Sequence, residues 1–326
     1  MIAFGCVEHL SLLMSRSGLP LQLTQLSAGT LRGDLHPVRL GPVQLVRIRL
    51  DRPLLARGEK DPRRQIICLD LTPPEEASPS RSHGLVLPAT AVFGLASHGE
   101  IHLSVPAGAE VALLSIDRQA FQQWCLDLGC EGLDEESLQR NWLRLDAHRF
   151  DDLRRCLRTV FALAEQDGGR SAVGSDGTKL QTALALRDLM PLLIEALVHG
   201  TERSSTLLRP PARIELVKQV QRWMDLHPGR PIALADLCQV AHASRRSLIQ
   251  GFRDHLGMGP MHYVKLQRLH SARRALLRSD PRACTVTDVA ADHGFLNPGH
   301  FARDYQRLFG ERPSTTLQRP GPRAIA

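Results

Sequence analysis

Residues 234–260, LADLCQVAHASRRSLIQGFRDHLGMGP, return in pattern at 286–313, VTDVAADHGFLNPGHFARDYQRLFGERP. Asp236 aligns with Asp288 and Leu237 with Val289, a spacing of 52 residues. Past the turn the spacing grows to 53, pairing Phe252 with Tyr305, Leu256 with Phe309, Gly257 with Gly310 and Pro260 with Pro313. Each copy reads as a short apolar-periodic helix, a tight turn and a second helix closing at Leu-Gly or Phe-Gly. That pattern is a helix-turn-helix in tandem.

Charge follows the repeat. From Arg213 onward the chain carries 18 Lys and Arg against 9 Asp and Glu, while residues 1–212 carry 23 against 25. The positive excess therefore lies in the repeat-bearing segment, as neutralisation of nucleic-acid phosphates requires. A basic run alone is an ordinary solvated face; its coincidence with two helix-turn-helix patterns is specific.

The spacing predicts a leading helix over 214–227, then a first recognition helix over 245–256, capped by Ser244. Leu248, Phe252 and Leu256 share its inner face, leaving Arg245, Arg246, Ile249, Gln250 and Arg253 outside. In the second unit Thr285 caps the first helix, Gly294 supplies the turn, and Asn297 caps a recognition helix that starts at Pro298. Phe301, Tyr305, Leu308 and Phe309 face inward; His300, Arg303, Gln306 and Arg307 face outward. A helix over about 261–277 joins the units and spans roughly 25 Å, enough to hold two recognition helices one DNA turn, ~34 Å, apart. Side-chain chemistry assigns base readout to Arg246, Ile249, Gln250, His300 and Arg303, because Arg forks onto guanine and Gln pairs with adenine. Arg245, Arg253, Gln306 and Arg307 are expected on phosphates.

Upstream, the chain to about Asp117 reads as β-rich. Short apolar runs at 43–49, 65–69, 84–87, 101–105 and 111–116 are separated by Gly, Pro and Asp clusters, which suggests a barrel or sandwich. Helices are expected at 118–128, 148–166 and 179–199, the last very apolar on Leu180, Leu184, Leu189, Leu192, Leu193 and Leu197 and bent by Pro191. Gly168–Gly177 reads as a loop and 201–211 as a linker. The expected fold is α+β: a β-rich, barrel-like effector and self-association domain with a helical layer at 1–200, then an all-α DNA-binding domain at 212–320. Seven scattered cysteines without a CxxC pair, no secretory signal and no membrane-length apolar run point to a reduced cytoplasmic protein with no membrane partner.

Residues 212–318 resemble the DNA-binding domain of the AraC/XylS family of bacterial transcription regulators. The match lies in Ser244-Arg245-Arg246-Ser247-Leu248, Leu256-Gly257, Pro260, Arg268-Leu269 and Ala272-Arg273. In the second unit it lies in Gly294-Phe295, His300-Phe301, Arg303, Phe309-Gly310 and Pro313-Ser314. Departures are His242 where the first turn often has Gly, Ala233 without a cap hydroxyl, Tyr305 for a usual Phe, and Asp304 beside the groove. The run, with Leu23–Thr30 upstream, looks like the subgroup containing the ethanolamine-utilisation operon regulator. The resemblance implies a ligand-responsive activator that binds promoter DNA and a small-molecule effector, with RNA polymerase and a second copy of the chain as further partners. The effector is expected in a cavity of the β-rich domain; its contact residues are not legible.

Blander readings stand beside these. His98, Glu100 and His102 alternate on one strand face, where a metal or plain hydrogen bonds would fit; the ligand count favours the latter. Cys125 and Cys130 read as small hydrophobes rather than a redox pair. Trp124 and Trp142 read as core rather than pocket walls. The apolar helix over 179–199 fits a core layer or a subunit interface. No catalytic residue, metal or cofactor is expected. Two other classes remain open: a metal-dependent cupin-like enzyme fused to a DNA-binding domain, and a ligand-independent DNA-binding protein.

Overall fold

The computed structural model describes residues 1–73, 75–96, 99–130, 133, 141–167, 176–200, 212–227 and 229–319. The linker at 201–211, the loop at 168–175 and His98 lie outside them.

The N-terminal half is built from strands β1 (Ile2–Phe4), β2 (Gln22–Gln25), β3 (Gly33–Leu40), β4 (Val43–Leu50), β5 (Leu54–Glu59), β6 (Arg64–Asp70), β7 (Arg81–Ser82), β8 (Leu85–Val86), β9 (Ala91–Phe93), β10 (Glu100–Val105), β11 (Glu110–Asp117) and β12 (Trp142–Arg144). They form two open antiparallel sheets, ordered β1-β3-β4-β11-β6-β9-β12 and β2-β5-β10-β7-β8. The β-rich expectation holds, but the described strands make a two-sheet sandwich and not a closed barrel. The apolar run expected at 84–87 contains the short strand β8 at Leu85–Val86, with Gly84 (φ 79°) in the turn before it.

Strand periodicity explains the layering. Val111 and Leu113 of β11, with Ile66 and Cys68 of β6, point into the space between the sheets. Their alternates Ala112, Leu114, Ile116, Ile67 and Leu69 point to the other side of the larger sheet. Both faces of that sheet are thus buried, and its strands read as near-continuous apolar runs. A two-residue loop at Gly41-Pro42 (Gly41 φ 56°) closes the β3–β4 hairpin, with Leu40 opposite Val43. Pro37 sits in β3 beyond the last residue paired with β1, where no donor is needed.

Helices cover the larger sheet: α2 (Arg118–Asp127), α3 (Ala147–Asp167) and α4 (Asp176–Val198). Asp117 caps α2 by accepting from the Ala120 N–H at 3.1 Å. On α3, Phe150, Leu153, Leu157, Val160 and Phe161 meet Leu189, Leu193 and Leu197 of α4 in one core with the sheet. Leu184 and Leu192 of α4 stay exposed. α1 (Val7–Arg16), absent from the sequence expectation, lays Val7, Leu10, Leu13 and Met14 onto the inter-sheet core.

The C-terminal domain comprises α5 (Ala212–Leu226), α6 (Leu234–Val240), α7 (Arg245–Leu256), α8 (Pro260–Arg278), α9 (Val286–Asp292), α10 (Pro298–Phe309) and α11 (Pro313–Gln318). Recognition helices α7 and α10 end alike, on Gly257 (φ 70°) and Gly310 (φ 73°) in the left-handed region. The turns share a left-handed residue at matched positions, His242 (φ 47°) and Gly294 (φ 76°). The extra residue of the second copy therefore lies after that point, just before Asn297. Leu248, Phe252, Phe301 and Tyr305 are fully buried in one core shared with Tyr263, Leu269 and Leu276 of α8.

Candidate nucleic-acid interface

Both recognition helices present capped N-termini and polar outer faces. The Ser244 hydroxyl accepts from the Ser247 N–H at 3.2 Å, and Asn297 Oδ1 from the His300 N–H at 3.0 Å. On α7, Arg245, Arg246, Gln250 and Arg253 are exposed and Ile249 is half-buried; on α10, His300, Arg303, Gln306 and Arg307 are exposed. The residues expected to read bases and phosphates therefore share two outward faces of one domain. One of them is less free than the sequence suggests. Gln250 Nε2 donates to Asp254 Oδ1 at 2.6 Å, and Asp254 also takes Arg213 at 3.2 Å. Asp304, the odd acid beside the groove, pairs with Lys265 of α8 at 3.2 Å.

The other departures also have structural answers. The Tyr305 hydroxyl donates to Thr316 Oγ1 at 2.8 Å and accepts from buried Arg273 at 3.4 Å, so the extra oxygen is satisfied. Around it Phe295, Phe301, Tyr305 and Phe309 stack in successive tilted or edge-on pairs, 4.7–5.5 Å between centroids. Ala233 leaves α6 with half a cap: its N–H reaches Asp236 Oδ2 at 2.8 Å, but no hydroxyl answers. Thr285 and Asp288 complete the reciprocal pair in the second unit.

What sequence reasoning missed is the docking of the smaller sheet onto this domain. Leu55 of β5, turned away from the inter-sheet core, is fully buried in the C-terminal core. Next to it Thr24 Oγ1 accepts from Gln267 of α8 at 3.0 Å, and His270 of α8 meets the Gln25 carbonyl at 3.3 Å. The segment after β2 then caps α10. Gln25 Nε2 donates to the Leu308 carbonyl (3.1 Å), the Gly29 N–H to that of Arg307 (3.0 Å), and the Thr30 hydroxyl to that of Phe309 (3.4 Å). These are the orphan carbonyls of a helix C-terminus. Leu23–Thr30 carried family resemblance in the sequence, but nothing in it named a partner.

A second contact grips the first unit. Lys218 of α5, 5% exposed, meets Glu100 at 2.9 Å, Glu215 at 3.1 Å and His83 Nδ1 at 2.8 Å. His102 Nε2 lies 3.0 Å from Gln221 Oε1. Burial, aided by the Lys218 charge, pushes His83 down to about 4; burial, opposed by the Gln221 hydrogen bond, does the same to His102. Burial likewise takes His270 to about 4. The alternating pair Glu100 and His102 is thus a hydrogen-bonded docking face. No group of three or more His, Cys, Asp or Glu among the described residues could hold a metal.

Arg273 ties the domains together. Its guanidinium, 2% exposed, reaches Glu8 of α1 at 2.8 Å and Glu311 at 2.7 Å and lies over the Phe309 ring at 4.6 Å. In the β-rich domain, where the effector is expected in a cavity, the space between the two sheets is filled by packed side chains. A cavity lies between the domains, lined by α1, β2 and Arg57 on one side and by α5, α8 and the turn after α5 on the other. Trp124 and Trp142 pack against the cores, as expected of large aromatics. All seven cysteines are free, Cys125 and Cys130 among them. No helix among the described residues is long and apolar enough to cross a membrane.

Comparison with known proteins places the repeats. Residues 237–319 match the family described as "Helix-turn-helix domain". The probable thc operon regulatory protein of Rhodococcus erythropolis is 36% identical over 131 residues, 40% of this chain and 39% of that one. The XylDLEGF operon transcriptional activator 2 of Pseudomonas putida is 37% identical over 100 residues, 31% of this chain and 64% of that one. The chain thus spans less than two thirds of the length of these relatives. A probable AraC family transcriptional regulator from Rhodopseudomonas palustris CGA009, solved as a crystal structure, is 38% identical, with 33% of this chain covering 99% of that one at a TM-score of 0.31. Residues 237–319 of this chain match a helix-turn-helix domain, and the proteins that the chain resembles include a probable regulator and an activator of bacterial operons.

Proposed function

We propose that the chain is a sequence-specific DNA-binding transcription regulator, acting as an activator in response to a small-molecule effector, and not an enzyme. One observation carries the reading: two helix-turn-helix units, joined by the 19-residue helix α8, each present an exposed basic recognition face. A single chain then enters two successive major grooves, where a lone unit normally needs a dimer. Arg246, Ile249, Gln250, His300 and Arg303 contact base edges in this reading, and Arg245, Arg253, Gln306 and Arg307 contact phosphates. The operon activators among the relatives support the activator sign. RNA polymerase and a second copy of the chain are the further partners to assay. The subgroup resemblance makes ethanolamine with a cobalamin the first effector to try.

The test is genome-wide binding of the full chain followed by footprinting. Discrete promoter sites, each protected in two patches about one helical turn (~34 Å) apart, are expected. Uniform, salt-sensitive binding without preferred sites would reduce the protein to an electrostatic DNA binder and remove the regulator reading.

A further inference from the structure

The cavity between the domains measures about 760 Å³, within the range that takes small molecules. Six arginines line it, Arg57, Arg230, Arg268, Arg274, Arg278 and Arg319, against two carboxylates, Glu8 and Asp225. Glu8 Oε2 is held by Arg273 at 2.8 Å and Asp225 by Arg57 at 2.9 Å, while Glu8 Oε1 has no hydrogen-bond partner among the described residues. Arg319 is held by Glu311 at 2.6 Å. The remaining four have no carboxylate within ion-pair distance among the described residues. Arg268 donates to the Arg230 carbonyl at 2.9 Å and Arg274 to the Ser271 hydroxyl at 2.9 Å, both neutral acceptors. Burial lowers the pKa of both guanidinium groups, opposed at Arg274 by the charges of Glu8 and Asp225. Arg57 Nε is also buried without a partner among the described residues. Leu12, Leu21, Leu23 and Ile232 supply apolar wall.

We propose that this cavity binds a multiply charged small anion with an apolar body, its phosphate or carboxylate groups held by Arg268, Arg274 and Arg278. The proposal rests on the reading of the chain as a ligand-responsive regulator and names the chemistry of the effector. More than a single negative charge is called for, because four of the six arginines make no ion pair among the described residues and a guanidinium fork suits phosphate or carboxylate oxygens. The site exists only when the domains are docked, since α1 and β2 come from one and α8 from the other. An anion there binds the docked state selectively and stabilises it by mass action.

The experiment is thermal unfolding of the full chain with rising pyrophosphate and, separately, citrate, against KCl at matched ionic strength. A saturable rise in Tm with at least one anion, absent in KCl, is expected. Pyrophosphate alone would assign a phosphorylated ligand, citrate alone a polycarboxylate, and both would support the shared chemistry. Arg274→Gln and Arg278→Ala should each weaken the apparent affinity at least tenfold. The double variant Arg246→Ala/Arg303→Ala, changed only on the recognition faces, should keep the rise. No rise with either anion, a rise indifferent to Arg274→Gln and Arg278→Ala, or a rise lost in the double variant would each overturn the proposal. Footprints separate the two readings: failure of the anion site leaves the wild-type two-patch footprint intact, whereas failure of the regulator reading abolishes it.

Discussion

Arg303 sits in the second turn of α10, fully on its outer face, with no carboxylate partner among the described residues and a neighbouring acid, Asp304, already neutralised by Lys265. It is therefore free to fork onto a guanine edge. Arg303→Ala should weaken specific binding by about 1–3 kcal/mol and relax the preference at one base pair. Fluorescence anisotropy against a panel of single-base operator variants checks this; equal weakening on every sequence would demote Arg303 to a phosphate contact. Gln250 is the contrasting case. Its bond to Asp254 must break before it reaches an adenine, so it starts from a poorer position than its sequence register suggests. Side-chain identity and helix face were legible in the sequence for all nine residues proposed to contact DNA. Competing intramolecular partners were not, because Asp254, Arg213 and Lys265 come from other turns or other helices.

At the level of elements, the repeat was readable nearly to the residue, because caps, turns and closing glycines are local chemistry. Ser244, Thr285 and Asn297 all cap where expected, and α7 begins and ends at the expected residues. The same logic makes the first unit improvable: Ala233→Thr would complete a reciprocal cap with Asp236 and should stabilise the protein by about 0.5–1 kcal/mol in chemical denaturation. No gain would mean that the isolated Asp236 bond already satisfies the α6 N-terminus. The matched closing glycines separate local strain from docking. A Cβ at Gly257 meets open space, whereas one at Gly310 collides with the Thr30 hydroxyl. Gly257→Ala should cost only the left-handed strain, about 1–2 kcal/mol. Gly310→Ala should cost more and raise hydrogen exchange of the Gly29 amide, which bonds to Arg307. Equal costs would show that the segment after β2 contributes nothing to holding α10. The sandwich was less legible. Short strands such as β1, β7, β9 and β12 exist because neighbours pair with them, and helix α1 has no side-chain cap to announce it.

For the whole molecule, the decisive feature is that one sheet touches both ends of the DNA-binding domain, the leading helix α5 through Lys218 and Gln221 and the second helix-turn-helix unit through the carbonyls of Arg307, Leu308 and Phe309. No sequence pattern could reveal this, because Leu55, Thr24 and His102 read as ordinary strand residues until a second domain covers them. The seam is also where three histidines, His83, His102 and His270, are held neutral at about 4. A histidine released into water titrates near 6.5, so the undocked or unfolded chain takes up protons first as pH falls. The stabilisation is complete above about pH 6.5 and is lost progressively toward pH 4. Each histidine that titrates contributes a slope of up to about 1.4 kcal/mol per pH unit within that window. Between pH 6.5 and 5 ordinary carboxylates remain ionised, so the histidines dominate the slope. The Tm of the full chain should therefore fall as pH drops from 6.5 to 5, and amides of α5 and β10 should exchange faster. His83→Asn offers a control: asparagine tolerates the φ of 48°, and its amide oxygen can accept a hydrogen bond from Lys218 without titrating. Its pH slope should be shallower than that of the wild type while stability at pH 7.5 is nearly kept. A Tm independent of pH across this window, or a slope unchanged by His83→Asn, would show that the buried histidines do not hold the domains together.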